Sequence, residues 1–195
     1  MLHRPTLAFV ILASAAMPVL ALAEERPVMV PTRDVAIVYH MISQRPGDLR
    51  MSIQASTGLA HVQGPNQRGY VIVDRKARQM TLVMSDKQLY MVMTIPDGQQ
   101  RSPELDTTAK FKRQGTDTVA GVGCTVWEYS GEHANGTACI TDDGVMLRVQ
   151  DSATHNGMEA AEVTYAPQPD SDFQPPAGYT KQEVPPMPQD GPPVR

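Results

Sequence analysis

Hydrophobic and polar residues alternate along most of this chain. In LRMSIQ (49–54), Leu49, Met51 and Ile53 alternate with Arg50, Ser52 and Gln54, the period-two pattern of a strand with one dry and one wet face. The same pattern reads through DVAIVYHMI (34–42), GYVIVD (69–74), RQMTLVM (78–84) and QLYMVMTI (88–95). The linkers RPGD, GPNQRG, DRKA and SDK supply the Pro, Gly, Asn and Asp that backbone reversals need. Short strands joined by short turns predict an antiparallel meander. Strands resume at about 114–121 and in CTVWEYS, GTACIT, VMLRVQD and MEAAEVTYA, and Asp143-Gly144 in TDDGV marks a hairpin. One stretch breaks the alternation. In RSPELDTTAKFKR, Ser102 can cap, Pro103 suits the first helical position, and Glu104 and Asp106 favour the positive end of a helix dipole. The pattern predicts a short helix over about 103–111 covering a curved, mainly β, antiparallel sheet of about 9–11 strands.

The two ends of the chain differ from its middle. His3 and Arg4 precede an apolar run from Leu7 to Leu22 that closes in Ala21-Leu22-Ala23, which reads as a signal peptide cleaved after Ala23. Pro18 interrupts the run, and it is short for the roughly 20 apolar residues of a membrane span. No cysteine follows it to carry a lipid. EERPVMVPTR (24–33) reads as an extended lead-in because Pro27 and Pro31 forbid a regular helix. A single domain is expected over 34–180. Nine of the 17 prolines lie in 166–195, so residues 181–195 read as a Pro-rich, disordered tail. Without the leader and its Arg4, 16 basic residues face 21 acidic ones, a net charge of −5 with no basic stripe, which argues against nucleic acid as a partner.

Both cysteines, Cys124 and Cys139, lie in CTVWEYSGEHANGTAC. In an exported chain two thiols are expected to pair, no C-x-x-C suggests redox catalysis, and structural zinc needs more ligands than these. The reading is a structural disulfide. Its register stays open: directly opposed cysteines require a turn at Gly131-Glu132, whereas a turn near Asn135-Gly136 offsets them.

The chain holds 12 methionines, concentrated in MTLVMSDKQLYMVM (80–93). Parity puts Met80, Leu82 and Met84 on one face of their strand, and Leu89, Met91, Met93 and Ile95 on one face of the next. Ordinary core is one reading, since alternation reports burial alone. A cavity wall is a second: methionine is flexible and polarizable, and aromatic residues, 5% of the chain, are scarce. Thioether copper binding with His40 or His61 is a third, without the tight Met-His clustering a soft-metal site needs. No nucleophile elbow, zincin helix or phosphate loop occurs, and Asp142-Asp143-Gly144 lacks the downstream Glu of a calcium loop. No catalytic residue, cofactor or metal is assigned.

The export signal, the series GYVIVD, MTLV and LYMV, the helix-sized insert, the later hairpins and a closing FQPPAGY (173–179) together resemble the periplasmic lipoprotein-carrier superfamily of LolA and LolB. CTVW and ACITDDGVMLR resemble an uncharacterised branch of exported bacterial proteins. The resemblance implies a periplasmic half-barrel with an apolar cavity for acyl chains. On that basis the expected function is a non-catalytic binding protein holding a lipid, a lipoprotein acyl chain or another hydrophobic ligand against Ile37, Tyr39, Met80, Leu82, Met84, Met91 and Met93. The alternative is an envelope interaction or sensory module with a filled core and a protein partner.

Overall fold

The computed structural model describes residues 26–44, 46–65, 68–95, 109–131 and 134–183. Twelve strands form among them: β1 (Val35–Ile42), β2 (Asp48–Gln54), β3 (Leu59–Gln63), β4 (Gly69–Asp74), β5 (Gln79–Met84), β6 (Leu89–Thr94), β7 (Lys110–Val119), β8 (Val122–Ser130), β9 (Asn135–Ile140), β10 (Met146–Asp151), β11 (Gly157–Thr164) and β12 (Thr180–Lys181). They make one curved, unclosed sheet in the order β12-β6-β5-β4-β3-β2-β1-β11-β10-β9-β8-β7, consistent with a half-barrel. The sheet is therefore two antiparallel meanders, β1–β6 and β7–β11, joined where β1 pairs with β11.

The first meander is regular. The turns 55–58, 75–78 and 85–88 each have four residues and end on a left-handed backbone, at Gly58 (φ 76°), Arg78 (φ 53°) and Gln88 (φ 52°). The second is not. Extra residues bulge at Gln114 opposite β8, at Leu147 opposite β9 and at Ala161 opposite β1. Bulges bend a strand and increase its twist, so the strongest curvature falls in this half.

That curvature lets residues from both meanders share a core. One buried cluster joins Val35, Ile37 and Tyr39 of β1, Ile53 and Ala60 to Val119, Cys124, Cys139, Leu147 and Ala160. A second gathers Phe111, Trp127, Tyr129, Ala138, Ile140 and Met146, with Trp127 edge-on to Phe111 at 6.4 Å. Cys124 and Val126 belong to the first cluster and Trp127 and Tyr129 to the second, so β8 is covered on both faces.

Several expectations change here. The region expected as helix over 103–111 lies outside the described residues up to 108. Its last two positions, Lys110 and Phe111, are extended and open β7. Phe111 pairs with Tyr129 and packs on Trp127, and this long-range burial outweighs local helix preference. Leu59–Gln63 is a strand that the sequence reading passed over, because its inward residues, Ala60 and Val62, are small. Lys181, where the tail was expected to begin, belongs to β12, parallel to β6. The signal peptide and residues 184–195 lie outside the described residues.

The cysteines are bonded, with S–S 2.08 Å and Cα–Cα 5.5 Å. Ser130 pairs with Asn135 and Val126 with Cys139, so the bond runs diagonally; neither expected turn forms, since Asn135 and Gly136 open β9 and the chain reverses over 131–134. The lead-in is tied down at the β9–β10 turn. Arg33 donates to Asp143 Oδ2 (2.7 Å) and stacks over Tyr165 at 3.9 Å, while Thr32 N–H donates to the Asp143 carbonyl (2.9 Å). Gly144 (φ 91°) sits so close to Val30 that a Cβ there would lie 2.6 Å from its carbonyl oxygen.

The disulfide and the Asp143 tie each set a measurable stability. Replacing both cysteines by serine opens a loop of 15 residues, and urea melts should show a loss of about 3 kcal/mol. Burial pushes the Asp143 carboxyl up, but hydrogen bonds from Thr141, Arg33 and Tyr165 outweigh it and hold it below the usual carboxylate range. Its contribution is thus present above the unfolded value of about 3.9 and lost as pH falls through the lower folded value. Thermal melts at falling pH should show Asp143→Asn less stable at neutral pH, with a flatter acid limb than the parent.

Candidate functional site

The register of the first meander aligns its apolar residues in rows. Val35, Ile53, Ala60, Val73, Met80 and Met93 lie side by side across six strands. The adjoining row is Ile37, Met51, Val62, Val71, Leu82 and Met91, and beyond it Tyr39 pairs with Leu49 and Met84 with Leu89. All seven residues expected to line a ligand site therefore lie on one face of the sheet.

Burial along these rows falls with distance from β1. Val35, Ile37 and Tyr39 are 0–2% exposed, packed in the shared core. Tyr39 also donates its hydroxyl to the Met146 carbonyl (2.6 Å), which fixes its ring inside. By contrast Val71, Val73, Met80, Leu82, Met84, Leu89, Met91 and Met93 are all half-buried. At the end of this face a hollow of about 250 Å³ is lined by Val71, Leu82 and Met84, with Arg68 and Asp86 at its lip. Gly69 at its edge accommodates the Val83 carbonyl, which a Cβ would approach to 2.0 Å.

The reverse face is covered over β2–β4. Ile72 and Val83 are 5% and 0% exposed, and the chain from Ala166 runs across their face. Gln54, 6% exposed, donates to Asp170 Oδ1 (2.6 Å). A 3₁₀ turn at Asp170–Phe173 lies against β3, and Tyr70 donates to the Gln174 carbonyl (3.5 Å). His61 packs on Tyr70 at 4.3 Å between ring centres, and burial, opposed by Asp172, pushes its imidazole below the ordinary histidine range. Asp34 anchors this strap, accepting from Ala55 N–H (2.8 Å) and Gln168 N–H (3.0 Å). The strap was not read from the sequence; FQPPAGY with its buried Phe173 was the available signal.

The copper reading loses its geometry. His61 pairs with Ser52 and Ile72, and His40 with Asp48 and Glu159, so both imidazoles project from the face opposite the thioethers. Among the described residues no group of three His, Cys, Asp or Glu is placed to hold a metal ion. No helix among them is long and apolar enough to cross a membrane. His133 lies outside the described residues.

Residues 45–146, just over half of the chain, match the family described as a domain of unknown function, DUF4412. No curated protein matches the sequence. Two solved structures share the fold at low identity. An uncharacterised conserved protein from Thermus thermophilus superposes with TM-score 0.56 at 8% identity, covering 78% of this chain and 91% of that one. A chain of the Pseudomonas aeruginosa MucA/MucB complex gives 0.51 at 10% identity, covering 75% of this chain and 57% of that one.

The burial gradient makes a direct prediction. Ile37→Ala should cost about 2–5 kcal/mol, as for a packed core residue, and Leu82→Ala less than about 1.5 kcal/mol. Chemical denaturation of the two variants checks it; equal losses would mean that the methionine end is core as well.

Proposed function

The chain belongs to the DUF4412 family, and for it we propose a non-catalytic periplasmic binding module that holds a lipid-like or other hydrophobic ligand on the methionine face. One observation carries this reading: eight apolar residues of β4–β6 form a continuous, partly exposed surface, while Ile72 and Val83 on the reverse face of β4 and β5 are buried. Contiguous apolar surface in contact with water marks a binding site more often than a random exposed side chain does. Methionine suits it, since a flexible thioether adapts to acyl chains of varied shape. The apolar amino-terminal run and the disulfide support a place outside the cytoplasm.

A protein partner is the second reading. Its support is the filled core under β1–β3, where Val35 and Leu147 are fully buried, and the likeness in fold to a chain of the MucA/MucB complex. In that case the methionine face meets a partner's side chains rather than a lipid.

Native mass spectrometry of protein purified from its own periplasm is expected to show a co-purifying lipid, and a fluorescent fatty-acid probe is expected to bind. Leu82→Asp places a carboxylate in the apolar row and should weaken the probe about tenfold or more, with unchanged circular dichroism. An empty protein that also ignores the probe, but recovers one stoichiometric partner, would reverse the order of the two readings.

A further inference from the structure

We propose that the occupant of the methionine face is an anionic amphiphile, its charged head at the β4–β5 turn and its apolar chain laid along β5 toward the hollow at Met84. This rests on the binding reading above and adds the chemical class and orientation of the ligand.

Charge is distributed unevenly in this protein. Residues 34–95, which contain β1–β6, hold seven Lys and Arg against four Asp, a net +3, within a chain whose net charge is −4. The remaining residues therefore carry −7. The apolar face thus belongs to a net-positive part of an acidic molecule, which favours an anionic ligand over a cationic one.

Within that half, three of the seven cations fall in a single turn. The β4–β5 turn reads Asp74-Arg75-Lys76-Ala77-Arg78-Gln79, three cations in four residues. Asp74 Oδ1 accepts the Ala77 N–H at 2.8 Å and closes the turn, which carries a net +2 over residues 74–79. Lys76 and Arg78 are exposed, and Arg78 Nη2 reaches the Ile95 carbonyl (3.4 Å), which carries its guanidinium along the same rim past the end of β6. The face residues nearest the turn are Val73 and Met80, paired with each other, and then Met93. Both rims are mixed: Asp34 and Asp74 share the rim of this turn, and on the opposite rim Arg68 and Lys87 flank Asp86.

The two ends of β5 thus differ in chemistry. One meets a cluster of cations, and the other meets the apolar hollow of Val71, Leu82 and Met84. Six strand residues separate them, about 17 Å. A carboxylate or phosphate head at Arg75–Arg78 leaves that length of apolar surface for its chain.

The test compares a long-chain fatty acid with the alcohol of equal length, by displacement of a fluorescent probe from the full chain at low salt. The acid is expected to bind about tenfold more tightly, with the preference shrinking as salt rises. In Arg75→Gln/Lys76→Gln/Arg78→Gln the preference should vanish while alcohol binding stays unchanged. Lys76→Gln/Arg78→Gln, which alters only the exposed cations, should lose most of it and guards against misfolding of the triple variant. Equal affinity of the parent protein for acid and alcohol overturns this inference and leaves the apolar-binding reading standing. A preference that survives both variants also overturns it, by placing the head elsewhere. Binding of neither compound overturns both readings.

Discussion

The pairing of β1 with β11 is the constraint on which the rest depends. It runs from Ala36 opposite Thr164 to Ile42 opposite Gly157, and it joins two meanders whose strands pair elsewhere with their neighbours in sequence, apart from the short β12 on β6. The meander β1–β6 taken alone is a single layer, and its apolar rows need a partner layer to leave water. With the seam formed, the bulged and strongly twisted second half curls until Val119, Cys124, Cys139 and Leu147 pack against Val35, Ile37 and Ile53. The seam spans more than a hundred residues of sequence, so its closure carries a large loop entropy that only this shared core offsets.

Coverage then spreads unevenly from the seam. Two carboxylates near it hold the chain's extended segments: Asp143 receives Arg33 of the lead-in, and Asp34 receives the backbone where the carboxy-terminal strap begins. The strap crosses the reverse face of β2–β4 and ends at β12 beside β6. Each device protects the seam or the outside of the sheet. The methionine end of the inner face gains nothing from either, and its residues are half-buried where those at β1 are sealed.

This unevenness connects stability to function. A surface packed to native density has no room for a guest without strain, whereas a half-covered row of thioethers and branched chains still has apolar area to bury. The same sheet face is sealed core at β1 and half-buried at β5 and β6, and the change between them follows distance from the seam. Leu82 and Ile37 lie in one row and are equally apolar, yet only Ile37 lies under the second meander.

What the sequence alone determined is parity. Because side chains alternate strictly across a strand, Met80, Leu82 and Met84 had to share a face, and local turn chemistry was enough to read most of the strands. The pairing of Cys124 with Cys139 was legible from the compartment, but the diagonal register was not, because it depends on where β8 and β9 align. Phe111 was misread as helical since its partners, Tyr129 and Trp127, lie across a hairpin. Only the tertiary structure decided which end of the apolar face is sealed. That depends on long-range contacts, the β1–β11 seam and the strap from Ala166, whose energy comes from burial against distant residues and leaves no periodic trace in the residues themselves.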